Sequence, residues 1–123
     1  MRVQDVFRRT ILRAQPGDRL ADAAAMMTSY DVSAIAVFDR KRCVGIVTER
    51  DLVRAMAEGV DPQSARVWRY MTPDPFTTSP ADDVETAAAA MLRLRTRHLP
   101  VVEAGEMVGM LSMRDVTRAL ART

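Results

Sequence analysis

The chain has 123 residues, with 18 basic against 16 acidic, a formal net charge of +2 and 48% apolar residues. These values describe a globular chain of about one domain's size and no strongly basic or acidic class. No apolar run approaches the ~20 residues of a membrane span, and Met1-Arg2-Val3-Gln4-Asp5 lacks the apolar core of a signal peptide, so a cytoplasmic protein is expected. A single cysteine, Cys43, excludes an internal disulfide, and a single histidine, His98, excludes a His/Cys zinc cluster.

In chain order, an apolar opening at Val3 and Val6-Phe7 leads to a short extended segment, Ile11-Leu12-Arg13. The turn Pro16-Gly17-Asp18 precedes Leu20, Ala23, Ala24 and Met27, which recur at helical spacing and make Asp18 the expected N-cap. Ile35-Ala36-Val37-Phe38-Asp39 and Cys43-Val44-Gly45-Ile46-Val47 read as buried strands around the turn Arg40-Lys41-Arg42, with Cys43 a buried, reduced thiol. The period then changes at Thr48-Glu49-Arg50-Asp51, which begins a helix whose inner face is expected to carry Leu52, Ala55 and Met56.

The same order then recurs. Shifting the chain by 64 places aligns Val44-Gly45-Ile46-Val47-Thr48-Glu49-Arg50-Asp51 with Val108-Gly109-Met110-Leu111-Ser112-Met113-Arg114-Asp115. Pro16, Asp18, Ala23 to Ala25, Met27 and Val37 likewise match Pro80, Asp82, Ala87 to Ala89, Met91 and Val101. Val3 matches Val67, and the second extended segment is Phe76-Thr77-Thr78. Two copies argue for one pseudo-symmetric unit and not for an extended solenoid. The expected division is 1–59, a linker at 60–66, and 67–123. A lone half of about 60 residues is marginal in the surface it can bury, so the copies are expected to share a core.

Chemistry concentrates at Thr48…Asp51 and Ser112…Asp115. A hydroxyl at N-cap with an acid three residues on approximates a capping box. The same geometry can hold a ligand, since helix N–H groups and a hydroxyl suit phosphate while a carboxylate accepts two hydrogen bonds from a vicinal diol. Gly45 and Gly109, three residues before each hydroxyl, would let a flat ring lie against the strand. Both readings fit the spacing.

These segments, with Met71-Thr72-Pro73 and Leu99-Pro100-Val101-Val102, resemble a tandem pair of CBS domains, also called a Bateman module. The resemblance covers almost the whole chain. It implies an α/β (α+β) fold of two pseudo-symmetric β-α-β-β-α repeats packed sheet to sheet as one compact module, with clefts between them. It implies AMP, ADP, ATP or S-adenosylmethionine as ligand, no required cofactor, and a homodimer. By resemblance Asp51 and Asp115 take the ribose hydroxyls, and Thr48 and Ser112 lie near ribose or phosphate. Arg97 and His98 meet phosphate, and Thr77 and Thr78 meet the adenine edge. Copy one has Ser33 and Ala34 at the positions of Arg97 and His98, so two chemically unequal clefts are expected.

Nothing at motif spacing pairs a nucleophile with a base, so a non-catalytic ligand sensor acting on a separate protein partner is the expected function. The alternatives are a structural homodimerisation module with vestigial clefts, or a nucleic-acid binder. Arginine richness favours the last, but aromatic residues make up only 5% and acids are interspersed with the arginines, which does not favour it.

Overall fold

The computed structural model describes residues 1–122 and divides into two compact units. One is Leu12–Asp74; the other joins Met1–Ile11 to the chain from Pro75 onward.

The first unit holds β1 (Arg13–Ala14), α1 (Leu20–Tyr30), β2 (Ala34–Asp39), β3 (Arg42–Thr48), α2 (Glu49–Ala57), α3 (Val67–Tyr70) and β4 (Thr72–Pro73). Its four-stranded sheet has the order β1-β2-β3-β4, with β1 parallel to β2 and the other pairs antiparallel. The second unit opens with a 3-10 turn at Val3–Asp5 and continues with α4 (Val84–Leu94), β5 (His98–Glu103), β6 (Glu106–Ser112) and α5 (Met113–Ala121). Here β5 and β6 form an antiparallel pair, flanked by single bridges from Arg8 to Met110 and from Thr78 to Val101. The mixed α/β class that the resemblance implies is thus what the chain forms.

Helix and strand periods explain the burial. Leu20, Ala23 and Met27 on α1 and Val84, Ala87 and Met91 on α4 are buried, the 3–4 spacing of one helical face. The inner strands are apolar in both copies, and Ile35, Val37, Val47, Leu99, Val101 and Leu111 are sealed from solvent. Met56 departs from expectation. It is 79% exposed and its repeat partner Leu120 is 45% exposed, while Ala55 and Val116 take the core side of α2 and α5.

Each unit has its own core cluster, and each is completed by a segment exchanged between the copies. Val67 and Tyr70, which open copy two in sequence, are buried with copy one; Val3 and Phe7, which open copy one, are buried with copy two. The backbone repeats this crosswise pattern. The Leu20 N–H donates to Ala65 C=O and Val67 N–H to Asp18 C=O, as Val84 N–H does to Met1 C=O and Val3 N–H to Asp82 C=O. A half-length copy that cannot cover its own core is completed by the other copy's leading segment. The spatial division therefore differs from the sequence division at 60–66.

Two local expectations change. Asp18 is not an N-cap, nor is its counterpart Asp82: the N-caps are Arg19 and Asp83, one residue on, and α1 and α4 start at Leu20 and Val84. Their carboxylates instead accept the N–H groups of Gln15 and Ser79, both at 2.8 Å, closing the turn before the helix. Second, copy two has only one bridge where copy one has β1. The Ala36 N–H donates to Leu12 C=O at 3.0 Å, and its counterpart Pro100 has no N–H to give.

Candidate functional site

The strand-to-helix junctions β3–α2 and β6–α5 carry the matched hydroxyl and carboxylate pairs, and they are wired differently. At the first, the Thr48 N–H donates to Asp51 Oδ2 (2.9 Å), the Thr48 hydroxyl reaches the same oxygen (3.2 Å), and the Asp51 N–H donates back to Thr48 Oγ1 (3.4 Å). This is a closed capping box, made with Asp in place of the longer Glu. Arg54 lies 3.4 Å from Asp51 Oδ1 and also donates to Tyr70 C=O at 2.8 Å. Burial pushes the Asp51 carboxyl up from its ordinary range, against the Thr48 N–H and the nearby Arg54, which stabilise its charged form.

At the second junction the Asp115 N–H donates to Ser112 Oγ at 3.0 Å, so the hydroxyl half of the cap is present. The carboxylate is directed to cations instead. Asp115 Oδ1 accepts from Arg8 Nε at 3.2 Å and lies 4.0 Å from Arg118 Nη1. Asp115 is 8% exposed and Arg8 46%. Two of the first helix N–H groups at each junction are already bonded: Glu49 to Ser33 C=O and Met113 to Arg97 C=O, besides Asp51 and Asp115. The helix N-termini are thus less open to an anion than the sequence implied.

Gly45 and Gly109 have a different reason for being glycine from the one expected. A Cβ on Gly45 would stand 2.6 Å from Thr72 O and 3.0 Å from Met71 Sδ; one on Gly109 would overlap Arg8 O and the Phe7 ring. The space each glycine leaves is filled by the exchanged segment, not left for a flat ring.

Arg97 is exposed before β5, and Arg93 and Arg95 are exposed at the end of α4. His98 is buried on β5, opposite Ser112 on β6. Burial pushes its pKa down to about 4, opposed by Asp115 and assisted by Arg97. His98 is therefore neutral at pH 7, and the expected basic pair reduces to Arg97. Thr78 is also buried, and its polar groups are engaged within the unit. Its hydroxyl donates to Asp82 Oδ2 (2.8 Å), its N–H to Pro100 C=O (2.9 Å), and its C=O accepts from Val102 N–H (2.8 Å). Thr77 beside it is exposed. Cys43 is half-buried, with its thiol pKa raised chiefly by burial and its S–H directed to Gly45 C=O.

The residue that sequence reasoning missed is Arg8. Its repeat counterpart is Thr72, so the comparison of copies marks the position as unlike. Only the crosswise pairing of Arg8 with Met110 brings its guanidinium to Asp115. Among the described residues there is no cluster of three or more His, Cys, Asp or Glu that could hold a metal, and no helix long and apolar enough to cross a membrane.

The CBS domain family model matches residues 3–58 and 67–122. The chain belongs to the CBS domain family, as a tandem pair. It is 35% identical to an uncharacterized 17.7 kDa protein of Acidianus ambivalens, covering 97% of this chain and 73% of that protein. It is also 35% identical to the mitochondrial CBS domain-containing protein CBSX3 of Arabidopsis thaliana, over 84% of this chain and 53% of that one. An inosine-5'-monophosphate dehydrogenase of Korarchaeum cryptofilum is 32% identical, but the chain spans only 23% of its length. Among solved structures, a putative signal-transduction protein with CBS domains from Burkholderia ambifaria superposes with a TM-score of 0.92 at 28% identity, over 98% of this chain and 91% of that one. The structure of CBSX2 in complex with AMP matches with a TM-score of 0.82 at 26% identity, over 98% and 97% of the two chains.

Proposed function

We propose that the chain is a cytoplasmic, non-catalytic regulatory module that binds an adenosyl ligand and signals to a separate protein partner. AMP, ADP, ATP and S-adenosylmethionine are the candidate ligands, and Asp115 is the ribose anchor. The observation that carries this reading is the difference between the two aspartates. Both are buried, but Asp51 closes its own helix cap with Arg54 of the same helix beside it, whereas Asp115 leaves the reciprocal cap bond unmade and pairs with Arg8 of the N-terminal segment. Ser112, which caps the same helix, and Arg97, exposed just before β5, are the proposed partners for ribose or phosphate. The family membership and the AMP complex of CBSX2 support an adenine nucleotide.

Titration calorimetry with the four ligands tests the reading. Saturable binding at micromolar to millimolar concentration is expected, weakened at least tenfold by Asp115→Ala and changed little by Asp51→Ala. No heat with any of the four would remove the adenosyl reading.

The alternative, a structural homodimerisation module, is favoured by the exposed apolar side chains Val53 and Met56 on α2 and Leu120 on α5. The two readings are compatible if the dimer is the frame in which ligand is sensed.

A further inference from the structure

Arg8 has a fixed root and a movable head. Its N–H donates to Met110 C=O and its C=O accepts from Met110 N–H, both at 2.9 Å, and the missing side chain of Gly109 makes room for this approach. From that anchored backbone, one of its five guanidinium donors, Nε, reaches the buried Asp115 Oδ1. Arg8 itself is nearly half exposed, so the bond can open without disturbing the core. Arg118 stays near the same oxygen, which leaves the carboxylate with a compensating cation when Arg8 leaves. Copy one has the counterpart of Arg118, Arg54, beside Asp51, but Thr72 stands at the position of Arg8, and Thr48 holds the other carboxylate oxygen.

We infer that Arg8 is a specificity-determining residue that occupies Asp115 in the free protein and yields it to anionic nucleotides in preference to neutral nucleosides. This rests on the reading of Asp115 as ribose anchor. A neutral diol has to displace the guanidinium and offers it nothing in return. A phosphorylated ligand offers its phosphate, to which the planar fork can bind in bidentate fashion, while the diol takes Asp115. The ion pair is exchanged and not lost. Ligand charge and movement of the N-terminal segment's side chain are thereby coupled at one junction only.

The experiment compares AMP with adenosine on the full chain, by calorimetry, for the wild type, Arg8→Gln and Arg8→Lys. The wild type is expected to prefer AMP. In Arg8→Gln adenosine should bind more tightly and AMP more weakly, so the ratio of affinities falls on the order of tenfold or more. Arg8→Lys keeps the charge without the fork and should fall between the two. The wild type alone gives a second readout that needs no variant: raising salt should strengthen adenosine binding, because the competing ion pair is screened, and weaken AMP binding. An unchanged AMP-to-adenosine ratio in Arg8→Gln, or adenosine binding indifferent to salt, overturns the role of Arg8 while leaving the ribose reading intact. Binding of neither compound to any of the three proteins overturns both.

Discussion

At the residue scale, His98 and Asp51 make the stability of this protein respond to acid in opposite directions. The folded His98 protonates only near pH 4, whereas in the unfolded chain it does so near its ordinary 6.5. Between those values the unfolded chain binds the extra proton, so stability is fully present above about pH 6.5 and is lost as pH falls towards 4, by roughly 3 kcal/mol over the window. Asp51 has the reverse sign, since its raised carboxyl makes the fold hold a proton more readily than the unfolded chain from its ordinary 3.8 upwards. The two contributions oppose each other, and comparison of the wild type with His98→Gln, which keeps Asp51, isolates the histidine's share. Thermal melts across that range should show a falling midpoint for the wild type and a flatter profile for His98→Gln; equal slopes would mean that His98 is not the group responsible. The aspartates separate in a second measurement. Urea unfolding should show Asp51→Ala losing about 0.5–2 kcal/mol with its capping box, and Asp115→Ala losing less, because its side chain does not close a cap.

At the scale of elements, single backbone atoms decide how strands pair. Pro100 removes the one donor that Ala36 uses to hold its neighbouring extended segment, and the β1 pairing of copy one shrinks to a bridge at Thr78 in copy two. The glycines act through space. Gly45→Ala and Gly109→Ala push a Cβ against backbone oxygen of the exchanged segment and should each cost about 1–3 kcal/mol in denaturant unfolding. Gly17→Ala meets nothing within 4 Å and should be neutral or stabilising by about 0.4–1 kcal/mol, so equal costs at all three positions would refute the packing argument. Element types were legible in the sequence because the apolar period changes cleanly from helix to strand and back. Asp18 was misplaced as a cap because the same side chain can close a turn on an N–H group three residues upstream, as Asp82 also does, and spacing does not distinguish the two bonds.

At the scale of the whole molecule, the first eleven residues are a structural part of the second unit. Val3 and Phe7 are buried in its core and Arg8 pairs with β6. Deleting residues 1–11 should therefore remove about 3–6 kcal/mol of apolar burial from that unit. Hydrogen exchange should show lost protection of β6 amides with β3 retained; a melt and exchange pattern like those of the full chain would contradict the exchange of segments. Self-association belongs to this scale too. If the exposed Met56 and Leu120 serve a homodimer, Met56→Glu with Leu120→Glu should lower the mass seen by sedimentation to that of one chain, without lowering the melting midpoint of the monomer.

The sequence by itself determined the tandem repeat, the order of helices and strands, most of the core positions, the family, and the pair of hydroxyl and carboxylate motifs at equivalent junctions. These follow from periodicity and from comparing the copies, which are local or translational signals. It could not determine which copy's core each leading segment enters, because crosswise and direct pairing leave the same apolar pattern along the chain. Tertiary structure decided that, and three consequences came with it. Gly45 and Gly109 serve close backbone approach, His98 is buried and neutral, and Asp115 meets Arg8 across 107 positions of sequence while Asp51 closes on Thr48 three residues away. Beyond the sequence difference of Arg97 and His98 against Ser33 and Ala34, the two junctions differ in the Arg8 guanidinium that only folding brings to Asp115, while Asp51 has Arg54 of its own helix.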